Sequence, residues 1–202
     1  MAKSPLNRIL SRIYGHGRGW VFSKYDFIKE FSGDNIDKAL SILAKDGKIR
    51  RITRGLYDYP KFSELLQKEL SPDIEQVAYA YARKFNWNIV PSGDTALNIL
   101  GISTQVPGRY IFLSNGPNRK YNILGNTLEF KHTALKNIDF KYNESKLIVQ
   151  ALKSLGKHHI SDEAIEKFKQ YFKSKNCTKI LKDTQYTTVW IYEIIKKICK
   201  GK

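Results

Sequence analysis

Apolar residues near the start of the chain recur at the spacing of an amphipathic helix. Over residues 3–14 they occupy one helical stripe, made of Leu6, Ile9, Leu10 and Ile13. Ser4 is a favourable N-cap and Pro5 a favourable first helical residue, and Gly15 ends the pattern. The sequence therefore predicts a first short helix in this segment.

Two more short helices are predicted before residue 47. Ser23 and Asp26 have the spacing of a capping box, and the apolar side chains that follow favour a second helix. Asp34 is a suitable cap for a third helix, and Gly47 a suitable terminator. The apolar stripe of this third helix consists of Ile36, Ala39, Leu40 and Leu43.

The pattern changes at Lys48 to one typical of strands. The segments KIRRIT and LYDYP are rich in Ile, Thr and Tyr, and Arg54 and Gly55 separate them, which predicts a β-hairpin. Three short helices followed by a hairpin predict a winged helix-turn-helix domain over residues 1–66. The polar segment 61–71 is predicted to contain the domain boundary.

Residues 67–202 show alternating helix and strand patterns and then helices alone. The predicted elements are a helix at 73–85, a strand at 87–90, a helix at 93–100, a strand at 109–114, a hairpin at 119–133, and helices in the last third. The fold class is therefore α+β: an N-terminal winged helix-turn-helix followed by a mixed α/β domain that ends in helices.

The composition indicates a folded, strongly basic protein. Hydrophobic residues make up 42% of the chain, which excludes a disordered or low-complexity class. Lys and Arg number 35 and Asp and Glu 19, so the formal net charge is +16. Such an excess attracts polyanions, of which nucleic acid is the commonest in a cytoplasm. A lysine-rich surface that is merely solvated explains the same charge.

The sequence gives little support for a disulfide, metal or cofactor site, or for a membrane segment. Cys177 and Cys199 are the only cysteines and have neither a CxxC spacing nor a nearby His, so no disulfide framework, zinc site or other cofactor is expected. No apolar run has the length of a membrane helix, and the first residues do not have the pattern of a signal peptide. We therefore expect a cytoplasmic protein without a membrane partner.

The third predicted helix carries the candidate residues for reading double-stranded DNA. In a helix-turn-helix, the second helix of the motif enters the major groove, so donors and acceptors are expected opposite its buried stripe. At about 100° per residue, this places Lys38, Ser41 and Lys45 on the outer face. Asn35 lies at the helix start, and Ile42 is positioned to touch a thymine methyl group or to pack on the hairpin.

The predicted hairpin adds a cluster of cations suited to phosphates or to the minor groove. Its members are Lys48, Arg50, Arg51 and Arg54. Because Ile49 and Ile52 alternate with them and are expected to cover the core, Arg50 and Arg54 are expected to project outward from one strand face. Arg18, in the glycine-rich segment GHGRG, is a candidate contact to the DNA backbone, although those glycines also suit a tight structural connection.

Three sequence stretches are similar to a known family. They are SRIYGHGRGWVFS at 11–23, RGLYDYP at 54–60 and PSGDTALNILGISTQVPGRYIFLSNG at 91–116. Together with the pattern between them, they resemble the AbiEi-type antitoxins of type IV toxin–antitoxin systems, specifically a DUF6088-like branch. The resemblance spans roughly residues 8–155.

The resemblance implies a winged-helix domain that binds inverted repeats in the promoter of its own operon and represses it. It also implies a C-terminal domain that counters a co-encoded, nucleotidyltransferase-like toxin, and a protein that is not itself an enzyme. Direct binding of the toxin is not implied.

The PSG…STQVP run has two possible interpretations. Its prolines and glycines suit turns at the ends of a strand and a helix, which is a structural explanation. In the functional interpretation, it presents a polar surface to the toxin or to its substrate. That surface would be made of Ser92, Asp94, Thr95, Asn98, Thr104 and Gln105.

Two other functions remain open from the sequence. Asp94, Glu129 and Lys131 resemble the D…ExK pattern of metal-dependent nucleases. An RNA-binding adaptor is the other alternative, because aromatic residues alternate with lysines at Tyr110, Phe112, Tyr121, Phe130, Phe140 and Tyr142. Alternation of this kind is also typical of the core positions of strands.

Overall fold

The computed structural model describes residues 4–103, 108–135 and 138–200. The predicted α+β class is confirmed, because helices and several small sheets alternate along these residues. They divide into two compact units. Unit 1 comprises residues 1–87 and 122–126, and unit 2 comprises residues 88–121 and 127–202. None of the described helices combines the length and the apolar character needed to cross a bilayer.

Unit 1 contains the first nine elements of the chain. They are α1 (Pro5–His16), β1 (Val21–Phe22), a 3₁₀ turn η1 (Lys24–Asp26), α2 (Gly33–Lys45), β2 (Arg50–Thr53), β3 (Leu56–Asp58), β4 (Phe62–Ser63), β5 (Lys68–Glu69) and α3 (Ile74–Phe85). Strands β1, β3 and β2 form one antiparallel sheet in that order. The core between α1, α2 and this sheet includes Ile9, Ile13, Phe22, Phe27, Leu40 and Leu43.

Helix α1 begins as its sequence predicts. The Ser4 hydroxyl accepts a hydrogen bond from the Asn7 amide at 3.3 Å, and Pro5 is the first helical residue. Ile9 and Ile13 are fully buried, which places the apolar stripe against the core. Burial of that stripe is what stabilises so short a helix.

The second predicted helix is wrong in type. The Ser23 and Asp26 capping box is present, but it opens only the short 3₁₀ turn η1, after which Phe27 is buried. Ser32, the N-cap of α2, follows closely. The segment is therefore too short to form the number of helical hydrogen bonds that would offset the cost of nucleating an α-helix.

The segment 61–71 contains structure that the sequence analysis missed. Strands β4 and β5 form a hairpin in which Phe62 pairs with Glu69 and Ser63 with Lys68. Leu65 at its tip is 93% exposed. An alternation of two residues per strand is too short to be recognised in a polar stretch.

The limit of unit 1 differs from the predicted boundary at residue 66. Helix α3 belongs to this unit, where Ile74, Val77, Ala78 and Tyr81 are buried. Its Arg83 forms an ion pair with Asp26 at 2.7 Å and donates a second hydrogen bond to the Val21 carbonyl. Composition alone does not reveal such a distant pair.

Among the described residues, the elements after α3 are a four-stranded sheet and five helices, and they belong to unit 2 apart from residues 122–126, at the end of β8 and the start of β9, which belong to unit 1. The elements are β6 (Ile89–Pro91), α4 (Asp94–Ile99), β7 (Arg109–Ser114), β8 (Arg119–Ile123), β9 (Asn126–His132), α5 (Asn143–Leu155), α6 (Asp162–Phe172), α7 (Cys177–Thr184) and α8 (Val189–Lys200). The strand order is β6-β7-β9-β8. Strands β6 and β7 are antiparallel, whereas β7 and β9 are parallel.

The strands and the helix predicted between residues 87 and 133 are confirmed, with ends that agree to within two residues. The helices expected in the last third are α5, α6, α7 and α8. Ile180 of α7 lies in one helical core with Phe168, Phe172, Ile191 and Ile195. The two cysteines carry free thiols, Cys199 buried in this core and Cys177 half-buried.

Candidate nucleic-acid interface

Helix α2 separates an apolar face from a polar one. Ile36, Leu40 and Leu43 are almost completely buried, as their helical spacing predicts. The helix begins at Gly33 with Ser32 as N-cap, so the prediction that Asp34 caps it is wrong. Asp34 instead lies in the first turn, where a carboxylate interacts favourably with the helix dipole.

The outer face of α2 presents the side chains that the helical spacing predicts there. Exposed positions there are Asn35, Lys38, Ser41 and Lys45. Ile42 lies beside them and is 46% exposed. One helix face thus offers amide, hydroxyl, ammonium and methyl groups, the set that hydrogen-bonds base edges and contacts thymine.

The β2–β3 hairpin continues this basic surface. Arg51, Arg54 and Lys48 are exposed. Thr53 pairs with Leu56 across the turn, and Gly55 has a φ of +76°, a conformation that favours glycine. Among the described residues, no carboxylate forms an ion pair with these three cations. They are therefore available to an external anion.

Arg50 differs from the outward cation that the sequence predicts. Its guanidinium binds Asp58 through two hydrogen bonds of 3.1 and 2.6 Å, and it also donates to the Leu70 carbonyl at 2.9 Å. Arg50 and Asp58 are opposite each other on β2 and β3, and Glu69 lies 3.7 Å from the same guanidinium. Arg50 thus joins this hairpin to β5.

Asp58 is the buried member of this pair, with 1% of its surface exposed. Burial raises the pKa of the Asp58 carboxyl above its usual range, and the hydrogen bonds from Arg50 oppose that rise. The carboxylate and the guanidinium therefore depend on each other, because either one left alone would be a poorly solvated charge.

Arg18 is exposed, but its side chain contacts the segment that follows β3. Its guanidinium donates to the Pro60 carbonyl at 2.9 Å and lies 4.7 Å from the centre of the Tyr59 ring. The neighbouring Gly19 amide donates to the Tyr59 carbonyl at 2.6 Å. The GHGRG segment therefore forms a tight connection along β3, as its structural interpretation predicts.

Lys84 is a cation of unit 1 that the sequence pattern does not identify as a candidate. Lys84 of α3 is half-buried, and its Nζ lies 3.5 Å from the Arg54 carbonyl at the hairpin turn. Burial lowers the pKa of Lys84, and the neighbouring Arg54 and Lys24 lower it further. No sequence signal relates Lys84 to a turn that lies 30 residues earlier.

The polar residues of the PSG…STQVP run have different positions in unit 2. Asp94 is exposed, and Ser92 and Asn98 are half-buried. Thr95 is 2% exposed, and its hydroxyl accepts a hydrogen bond from the Ile111 amide, so its predicted place on a polar surface is wrong. The buried hydroxyl instead ties α4 to β7. Thr104 and Gln105 lie outside the described residues.

The residues of the nuclease pattern lie on two elements. Asp94 is in the first turn of α4, whereas Glu129 and Lys131 are on β9, where they alternate with the buried Leu128 and Phe130. Within the ranges that the structure describes, no three His, Cys, Asp or Glu residues are grouped so that they could hold a metal ion.

The aromatic residues of the RNA-binding alternative contribute to packing. Phe112 and Phe130 are fully buried with their ring centres 6.2 Å apart, and Tyr121 contacts Phe130 edge-on. Tyr110, Phe140 and Tyr142 are half-buried. The interpretation of Phe112 and Phe130 as core residues is confirmed.

Comparison with known proteins adds a family match. The model of a family of unknown function matches residues 8–180. The crystal structure of RV2827C protein from Mycobacterium tuberculosis aligns over 100% of this chain and 78% of its own, with 13% sequence identity and a TM-score of 0.43. The curated proteins include no match to the chain.

Proposed function

The chain belongs to the DUF6088 family, a family of unknown function, and we propose that it is a DNA-binding autorepressor and antitoxin. The resemblance of its motifs to AbiEi-type antitoxins suggested this function, and unit 1 supports the DNA-binding half of it. The protein reads its own promoter through unit 1 and counters a nucleotidyltransferase-like toxin through unit 2.

The outer face of α2 is the observation that carries the proposal. Its polar side chains are all exposed while the opposite stripe is buried, so the helix offers base-reading groups without disturbing its own core. The adjoining hairpin is basic as well, because Arg51 lies on β2 and Arg54 in the turn, and both are exposed. A helix face that is merely solvated would not be expected to adjoin such a hairpin.

The order of elements in unit 1 supports a winged helix-turn-helix. A helix, a strand, a short helical turn, a second helix and a hairpin follow one another, and the first strand pairs with the last. In a winged helix this order places the second helix of the motif in the major groove and the hairpin, as a wing, beside the minor groove or the phosphates. Helix α2 and the β2–β3 hairpin occupy these two places in the proposed complex.

A binding titration tests the proposal. The full-length protein is titrated against a duplex from its own upstream region and against a scrambled duplex of equal length, at two salt concentrations. Selective binding to the upstream duplex is expected. Equal and strongly salt-dependent binding to both duplexes would reduce the protein to a general polyanion binder and contradict the repressor function.

The antitoxin half needs a separate test. Co-expression of the chain with the nucleotidyltransferase-like toxin that the proposal requires is expected to restore growth of cells that the toxin arrests. A fragment of residues 1–87, the continuous part of unit 1, is expected to keep DNA binding without restoring growth. Full rescue by that shortened chain would contradict the division of labour between the units.

A further inference from the structure

The turn of the β2–β3 hairpin has a cationic neighbour from a distant part of the same unit. The Lys84 ammonium lies 3.5 Å from the Arg54 carbonyl, at the outer limit of a hydrogen bond. Gly55 completes the turn, and a Cβ at this position would lie 3.1 Å from Nζ. The glycine therefore leaves the ammonium room directly against the backbone of the turn.

This ammonium is partly withdrawn from water without a compensating acid. It lies 5.3 Å from the centre of the Phe85 ring and 5.9 Å from that of Tyr81. Within the described part of the chain, no Asp or Glu forms an ion pair with Lys84 or with Arg54. One long contact to a carbonyl uses at most one of the three ammonium donors.

The nearest charges make the site more positive still. Arg54 and Lys24 are close enough to lower the pKa of Lys84, although Lys24 has its own partner in Asp37 at 3.1 Å. Like charges held together around a half-buried ammonium are unfavourable in the free protein. An anion that enters the cluster removes this repulsion.

We propose that Lys84 and Arg54 together hold a backbone phosphate of bound DNA at the hairpin turn. This inference rests on the proposed function, and it extends the interface from α2 and the hairpin to α3. The phosphate oxygens accept hydrogen bonds from the Lys84 ammonium and the Arg54 guanidinium. Because the ligand is backbone rather than a base, the contact positions the wing and carries no sequence information.

The test compares salt dependence between matched variants of the full-length protein. Binding to the upstream and scrambled duplexes is measured by fluorescence anisotropy over a series of KCl concentrations. Lys84→Gln is expected to weaken binding to both duplexes by a similar factor, about three- to tenfold at low salt, and to reduce the slope of log K against log[KCl] by about 1. Lys84→Arg is expected to retain the wild-type slope.

Lys68→Gln is the matched control, because it removes the same charge from the exposed strand β5 of the same unit. A Lys84→Gln slope equal to that of Lys68→Gln would overturn the phosphate site alone. Failure of the wild-type protein to bind either duplex would overturn the proposed function as well. Should Lys84→Gln lower the melting temperature, Arg54→Gln, at an exposed position, is expected to show the same loss of slope, and an unchanged slope there would also overturn the site.

Discussion

Arg83 forms an ion pair with Asp26, 57 residues earlier in the chain, with 2.7 Å between Nε and Oδ1. The same aspartate accepts a hydrogen bond from the Ser23 amide at 2.8 Å and so closes the turn η1. The turn η1 immediately precedes α2, the candidate DNA-reading helix. Helix α3 therefore anchors the start of α2 through η1, although the sequence pattern assigns α3 to the second domain.

Replacement of Arg83 by Ala is expected to destabilise unit 1. Asp26 and the Val21 carbonyl each lose a donor, and we expect the free energy of unfolding to fall by about 1 kcal/mol, since the guanidinium is partly exposed. Urea unfolding followed by tryptophan fluorescence measures the change. Arg51→Ala, at an exposed position, is the control, and equal stability of the two variants would contradict the anchoring role.

Truncation tests the limit of unit 1. A fragment of residues 1–87 retains the buried face of α3, whereas a fragment of residues 1–66 exposes the apolar surface that this helix covers. We expect the longer fragment to melt cooperatively at a clearly higher temperature, as measured by circular dichroism. Equal melting temperatures would support a boundary at residue 66.

Arg50 and Arg51 are neighbours in sequence with different expected roles. Arg50→Ala leaves Asp58 buried without its guanidinium partner, so we expect a loss of about 2–4 kcal/mol in unfolding free energy. Arg51→Ala is expected to change stability by less than about 0.5 kcal/mol and to weaken DNA binding. Denaturant unfolding and duplex titration of both variants check this. Similar stability losses in the two variants would show that Arg50 and Asp58 do not form a stabilising pair.

Lys38 and Lys45 are expected to matter for DNA and not for the fold. Both are exposed on α2, so the double replacement by Ala leaves the buried stripe intact. Affinity for the upstream duplex is expected to fall by about ten- to a hundredfold, and the preference over the scrambled duplex to shrink. Anisotropy titrations provide the measurement, with Lys68→Ala as control. Unchanged affinity would remove these lysines from the interface.

Glu144 makes part of the stability depend on pH. Backbone hydrogen bonding at the start of α5, followed by Lys175 at 3.2 Å, lowers the pKa of this carboxyl. A lowered pKa contributes stability above the ordinary value of 4.5, and that contribution is lost as pH falls through the lowered pKa. We expect Glu144→Gln to melt below the wild type at neutral pH and the difference to close in acid. A difference independent of pH would contradict this.

The elements that the sequence predicts best are those whose signal is local. The apolar stripe of α2 and the strands around Gly55 are present as expected, because helical spacing and turn chemistry are contained within a few residues. The exposed candidates on α2 follow from the same periodicity. The exposure of Lys38 and Lys45 can be predicted without information from any other part of the chain.

The residues that the sequence misplaces or misses are those governed by distant partners. Alternation with Ile49 and Ile52 predicts an outward Arg50, yet Asp58 across the ladder holds it, and a register shift between Arg51 and Thr53 interrupts the alternation. Lys84 reaches the hairpin only because α3 packs in unit 1. Thr95 is interior because its hydroxyl satisfies a strand amide. Each of these outcomes depends on a pairing that no short window contains.

The hairpin of β4 and β5 has a consequence for how the chain can be engineered. Its tip projects Leu65 almost fully into solvent, in a segment between the β2–β3 hairpin and α3. Protease cleavage or an inserted tag is best tolerated at such exposed tips. The two pieces of unit 1 would remain held by the salt bridge from α3 and by buried apolar contacts. This tip is therefore the natural place to cut or tag unit 1 while keeping its remaining elements intact.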